Sequence, residues 1–369
     1  MATIDISHLR HVYANGHVGL DDINFTANDG EFLALLGPSG SGNTTLLRCI
    51  AGFLRPQEGT LRIDGQTVAG DDAWTPPERR RLGMLFQAHA IWPHWSVGRN
   101  VGYPLKRARI PRDEATGRVE AVLEQVGLGG MEDRSPASMS GGQRQRVALA
   151  RAIVSSPAAL LLDEALSSLD EPLRARLRLE LKALTREKGL TAIHVTHDRA
   201  EALALADRVV VLNAGRVEQI GPPAELLSNP ATAFVAAFVS DATLFDAELQ
   251  DGRLSITGMD YTMPAEDLRI GAPVTAGGGS VAAVMPRDVR LERLAATSNR
   301  GAVVTSSLYG PHGYDVSVDW HGVALRAHVS EWTPAVGDVV QPTIRRAHVF
   351  SAPHSSADAP MPSVLAVRR

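Results

Sequence analysis

Short apolar runs, rich in leucine or β-branched residues, alternate with longer stretches of helical period as far as about residue 239. That alternation predicts an α/β domain. A strand covered on both faces reads as a nearly continuous apolar run, whereas a helix lying on a sheet repeats its apolar side chains every three to four residues. Strands are predicted at EFLALLG (31–37), LGMLFQ (82–87), AALLLDE (158–164), TAIHVTH (191–197) and RVVVLN (208–213), with Asn213-Ala214-Gly215 as a hairpin turn into RVEQIG. Helices are predicted from Thr44, from Arg144 and from Glu171, and the stretch 88–156, which has helical patterns and no convincing strand, reads as a helical insertion.

Beyond residue 240 the pattern changes to short alternating runs separated by glycine and aspartate turns, as in LFDAELQDGRLSITG and YDVSVDWHGVALRAHV. This predicts a small β-barrel or sandwich over 240–350. The last stretch, 351–369, is rich in proline, serine and alanine and reads as a loose tail. The expected organisation is therefore an α/β domain at 1–239, a β-rich domain at 240–350 and the tail.

Composition narrows the function classes. The 369 residues are 44% apolar and 21% charged, which excludes wholesale disorder, and the net charge of −4 gives no global sign of a nucleic-acid partner. Only three lysines occur (Lys106, Lys182, Lys188), against 34 arginines. The single cysteine, Cys49, cannot form an internal disulfide. The longest apolar runs fall far short of the ~20 residues that cross a bilayer, and MATIDISHLR has no signal-peptide core. The expectation is a soluble, cytosolic chain that is free to dock on a membrane protein.

The chemistry lies in six places. GPSGSGNTT, Gly37 to Thr45, joins an apolar strand to a helix; glycines there let backbone N–H groups curl around an anion at the positive helix end. Thr44 stands where a hydroxyl would bind Mg²⁺, and the spacing matches a phosphate loop except that Asn43 occupies the lysine position. MSGGQRQRVALARAI places Ser140, Gly141, Gly142 and Gln143 at a second helix start. AALLLDE ends in Asp163 and Glu164, one acid for a metal shell and one for a water. His197 and Gln87 end two further strands at the edge where ligands bind in open α/β sheets, and Tyr13 offers a ring to a purine.

Taken together, Tyr13, the 37–45 loop, Gln87, Ser140-Gly141-Gly142-Gln143, Asp163-Glu164, Ser168-Leu169-Asp170 and His197 resemble, in order and spacing, the ATP-binding subunits of ABC transporters over about residues 1–239. The resemblance implies a P-loop ATPase fold with a helical subdomain, working with ATP and Mg²⁺. It also implies a head-to-tail homodimer in which each ATP is sandwiched between two copies. Carried over, Gly37, Ser39, Gly40, Gly42, Asn43, Thr44 and Thr45 would line one side of the ATP, and Ser140, Gly141, Gly142 and Gln143 of the second copy the other. Glu164 would polarise water, His197 would hold the γ-phosphate, Asp163, Thr44 and Gln87 would serve the metal, and Asp170 would couple the two sites.

With no membrane span of its own, such a chain implies separate transmembrane permease subunits, indirect service to a solute-binding protein, and a peripheral place on the cytoplasmic face of the inner membrane. The C-terminal region resembles the β-rich TOBE-like regulatory domain of importer ATPases for polyamines, iron(III), phosphonates and sugars. FQAHAIWPHWSVGRNV (86–101) resembles the iron(III) and polyamine groups. Two departures stand out: Ala165 replaces a usual proline, an exchange expected to be tolerated, and Asn43 replaces the lysine, an exchange expected to impair hydrolysis. Competing readings are an ATP-binding scaffold that does not hydrolyse, an exporter subunit, and a repair or translation ATPase. The last would carry long coiled-coil insertions or tandem domains, which this sequence lacks.

Overall fold

The computed structural model describes residues 2–70, 72–88, 90–166, 171–250, 253–271, 279–294 and 301–351. The chain divides into two units, residues 1–223 and 224–369.

In the first unit, β1 (Ile4–Val12) and β2 (Val18–Ala27) form an antiparallel hairpin. The fully buried β3 (Phe32–Leu36) leads to α1 (Asn43–Ala51), followed by β4 (Glu58–Ile63), β5 (Gln66–Ala69) and β6 (Leu82–Leu85). The stretch that reads as a helical insertion contains α2 (Val97–Val101), α3 (Tyr103–Arg107), α4 (Arg112–Gln125) and α5 (Gly141–Ile153), with no strand among its described residues. Then come β7 (Ala159–Asp163), α6 (Glu171–Lys188), β8 (Thr191–Thr196), α7 (Arg199–Leu205), β9 (Arg208–Asn213) and β10 (Arg216–Gly221).

Two sheets result. One is antiparallel, in the order β2-β1-β4-β5; the other runs β10-β9-β3-β8-β7-β6. In the second, β9, β3, β8, β7 and β6 are parallel, and only β10 turns back, across Ala214 and Gly215 at φ 46° and 79°. Positive φ at both central residues is the geometry a two-residue hairpin needs. The apolar core, built from Leu33, Leu35, Leu46, Leu47, Leu161 and Val195 among others, spans both sheets and α1. Because the strands are parallel, their carboxyl ends share one edge: Leu36 pairs with Thr196, Asp163 with Val195 and Leu85 with Leu162. This register gathers the motifs.

The unit boundary falls earlier than the expected 239. Residues 223–228 and 233–240 form α8 (Pro223–Ser228) and α9 (Ala233–Ser240), and Ala236 of α9 packs with Ala242, Ala283, Met285 and Phe350 of the second unit. The apolar run FVAAFV is therefore a packing face for the β-rich unit. Among the described residues that unit holds a six-stranded and a five-stranded sheet that share an apolar core, where Phe245 and Tyr261 meet Trp320 edge to face at 6.2 and 5.0 Å. Ser351 ends the last strand, and the remainder of the expected tail lies outside the described residues.

Candidate functional site

A cleft of about 270 Å³ opens at the carboxyl edge of the parallel sheet, lined by Tyr13, the whole of 37–45, Glu164, Thr196 and His197. Its floor is the β3–α1 turn. A Cβ on Gly37 would lie 2.4 Å from the carbonyl oxygen of Leu212, so the turn tolerates no side chain there. Gly42 caps α1 at φ 104°, where a Cβ would meet the Gly19 carbonyl at 2.7 Å, and it supplies no side-chain acceptor. The first-turn N–H groups of α1 are thus left for a ligand, and an anion is the ligand they and the helix dipole favour.

Asn43 is buried, and its Oδ1 has no hydrogen-bond partner. Among the described residues lining the cleft there is no lysine and no arginine. Thr44 is half-buried on the cleft wall, while the Thr45 hydroxyl lies 2.7 Å from that of Tyr13. Tyr13 is thereby anchored, with His11 edge-on at 4.9 Å and His17 nearly parallel at 6.2 Å. The ring expected to meet a purine does stand at the cleft.

Three residues from three strand ends converge opposite. Glu164 sits at φ 46°, its N–H donating to Val195 at 3.1 Å. Its Oε2 accepts from Gln87 Nε2 at 2.9 Å, and its Oε1 lies 3.4 Å from His197 Nδ1. Gln87 comes from a turn, because β6 stops at Leu85 rather than continuing to 87. Gln87 and Asp163 do not themselves line the cleft. Burial raises the Asp163 carboxyl above its usual range and the neighbouring Glu164 adds to this, against the pull of Arg48 and His194. An acid so placed gains from a nearby cation, and a carboxylate, a threonine hydroxyl and an amide oxygen are hard donors of the kind Mg²⁺ takes.

The Ser140 corner is elsewhere. Ser140, Gly141, Gly142 and Gln143 do not line this cleft. Ser140 caps α5 reciprocally, its Oγ accepting from the Gln143 N–H at 3.2 Å and its own N–H donating to Gln143 Oε1 at 3.0 Å. α5 is tied back to the site by Gln145 Nε2, which donates to the Ala165 carbonyl at 2.6 Å, a contact that any residue at 165 could supply. Asp170 lies outside the described residues. Sequence reasoning missed His17, Gly19, Val195 and Thr196 as lining residues, and within the 37–45 loop it left Pro38 and Ser41 without a role. Of these, His17 had a signal, four residues after Tyr13 in the same turn.

The pattern of the ABC transporter family matches residues 20–167. The Fe(3+) ions import ATP-binding protein FbpC of Escherichia coli K12 is 41% identical over 321 residues, covering 86% of this chain and 89% of that protein. The family is decided at that point. This chain belongs to the ABC transporter family. Another relative, the spermidine/putrescine import ATP-binding protein PotA of Thermobifida fusca, is 42% identical over 291 residues, 78% of this chain and 75% of its own length. Among solved structures, CbiO1 of Clostridium perfringens, part of the ABC transporter complex CbiONQ, aligns with TM-score 0.55 and 29% identity over 60% of this chain and 89% of that one. The ATP-binding cassette MJ0796, a dimer bound to ADP and phosphate, gives 0.53 and 30% over 60% and 98%. No helix of this ABC protein, among the described residues, is long and apolar enough to cross a membrane.

Proposed function

We propose that this chain is the ATP-binding subunit of an importer, closing head to tail with a second copy around two ATP molecules and driving separate permease subunits from the cytoplasmic face of the inner membrane. The observation that carries the reading is the meeting of Gln87, Glu164 and His197 across the cleft from an uncapped helix start. A protein needing only to bind an anion has no use for a carboxylate flanked by an amide and an imidazole.

Each residue has a physical task. The N–H groups of Gly40, Gly42, Asn43, Thr44 and Thr45 hold the phosphates, that of Ser41 being spent on the Pro38 carbonyl, and Tyr13 backs the base. Glu164 has one oxygen on Gln87 and the other facing His197; it orients and polarises the attacking water. His197 spends Nδ1 on Glu164, which leaves Nε2 for the terminal phosphate. Thr44, Asp163 and Gln87 would hold Mg²⁺, whose positive charge supplies electrostatic stabilisation to the phosphates. Ser140, Gly141 and Gly142 complete the site of the second copy, which suits their position outside their own cleft. The similarity to FbpC and PotA makes iron(III) or polyamine-type systems the solute classes to test first.

Asn43 sets the rate. A charge-assisted contact worth ~1.5–3 kcal/mol is absent, which weakens binding about 10- to 150-fold. If the contact would tighten as charge develops, hydrolysis loses ~2.7–4 kcal/mol, about 100- to 1,000-fold. Measuring ATP hydrolysis by this chain and by Asn43→Lys tests the reading: the lysine variant is expected to run at least about 100-fold faster. Equal, brisk rates would defeat it. A variant that binds ATP tightly and stays inert would favour the scaffold reading, for which Asn43 is the motive.

A further inference from the structure

Between β8 and α7 the chain makes a short turn, Thr196-His197-Asp198, in which one buried carboxylate holds Thr196 directly and reaches Asp198 through the Thr196 hydroxyl. Thr196 Oγ1 donates to Glu201 Oε2 at 2.7 Å and accepts the Asp198 N–H at 3.0 Å. Asp198 caps α7 by accepting the Glu201 N–H at 3.1 Å, and its other oxygen is held by Arg178 at 3.2 Å, with Arg174 at 3.7 Å. Glu201 is 2% exposed and Thr196 3%. The second Glu201 oxygen lies 3.3 Å from Nε2 of His194, which is completely buried on β8.

A carboxylate in that position is costly unless its charge is met. Burial pushes the Glu201 carboxyl up, but His194, Thr196 and Arg178 together hold it below the usual range. The Asp198 N–H can only donate, so the Thr196 oxygen accepts it and the Thr196 hydroxyl proton goes to Glu201. The His197 side chain, by contrast, is 61% exposed and lies near Glu164 at 3.4 Å. Its aim is therefore set by the backbone on either side together with the Glu164 contact.

We propose that Glu201 is a positioning residue for the hydrolytic reaction, holding the Thr196-His197-Asp198 turn so that His197 faces the terminal phosphate. This rests on the reading of His197 given above. Displacement by about 1 Å costs such a site on the order of 100-fold in rate while leaving ground-state binding nearly intact.

The test uses the full-length chain carrying Asn43→Lys, so that turnover is measurable. Glu201→Ala is expected to lower kcat about 100-fold with KM for ATP within about threefold. Glu201→Gln, whose amide oxygen still accepts from Thr196, is expected to recover most of the rate. Thr196→Val removes the intermediate hydroxyl alone and should reproduce the kcat loss if Glu201→Ala proves too unstable to study. Unchanged kcat in Glu201→Ala, Gln performing no better than Ala, or kcat falling only in step with KM and melting temperature would overturn the proposal. If the Asn43→Lys parent does not hydrolyse at all, the functional reading fails separately. The positioning role is then read from the His197 imidazole NMR signal on adding ATP, which should move in the parent and stay still in Glu201→Ala; equal movement would refute it.

Discussion

Two helix starts in the first unit look alike in sequence and differ in what they leave open. α1 begins after Gly42, with no side-chain cap and no acid in its first turn, and its N-terminus faces the cleft. α5 begins after Ser140, with a reciprocal cap that satisfies the Gln143 and Ser140 N–H groups from within. Both carry glycines, SGSG at 39–42 and SGG at 140–142. The first leaves its opening N–H groups open to an anion. The second is satisfied from within, and lies outside the cleft. The contrast shows two glycine-bearing helix starts that differ in which N–H groups their own side chains satisfy.

The sharpest way to break the contrast is to put a side chain on the open start. Gly42→Val adds a Cβ that meets the Gly19 carbonyl at 2.7 Å and forces a β-branched residue to φ 104°. Strain of about 1–3 kcal/mol from the backbone alone should lower the melting temperature and abolish ATP binding as followed by calorimetry. Asn43→Lys works in the opposite direction, and equilibrium binding should tighten for ATP by about 10- to 150-fold. On the closed start, Ser140→Ala should cost about 1 kcal/mol of stability in urea unfolding while leaving ATP affinity at low protein concentration unchanged. A drop in that affinity would mean the two starts are not separate.

A third start sharpens the comparison with the smallest effect. α7 is capped by Asp198 and backed by Glu201, whose folded pKa is depressed. The stability it contributes is present above the ordinary carboxylate pKa and is lost as pH falls through the lower folded value. Urea midpoints taken from neutral pH downward should therefore decline more steeply in the parent than in Glu201→Gln, and parallel curves would contradict this.

How much of this was legible depends on whether a property is local. Glycine spacing after an apolar strand announced the β3–α1 turn, and the acids ending AALLLDE announced Glu164, because both follow from short-range chemistry. The antiparallel sheet of β1, β2, β4 and β5 went unread: its first pairing is interrupted by register shifts at Ile6/Leu9 and Leu9/His11, which break the period-two alternation a reader looks for. The unit boundary was misplaced because an apolar helix does not state which core it joins. His194 and Glu201 were invisible as a pair, since a histidine in a strand and a glutamate in a helix acquire meaning only once both are buried and 3.3 Å apart.

The 2.7 Å link between the hydroxyls of Tyr13 and Thr45 joins a turn of one sheet to the opening coil of α1. Whatever rests against the aromatic ring and whatever rests in the glycine nest are consequently seated on a single frame. On the proposed reading such a frame would be a ruler of fixed span: a nucleotide laid along it would extend toward Glu164 and His197 by an amount that grows with each added phosphate, so that molecules alike at the base end would be told apart at the far end.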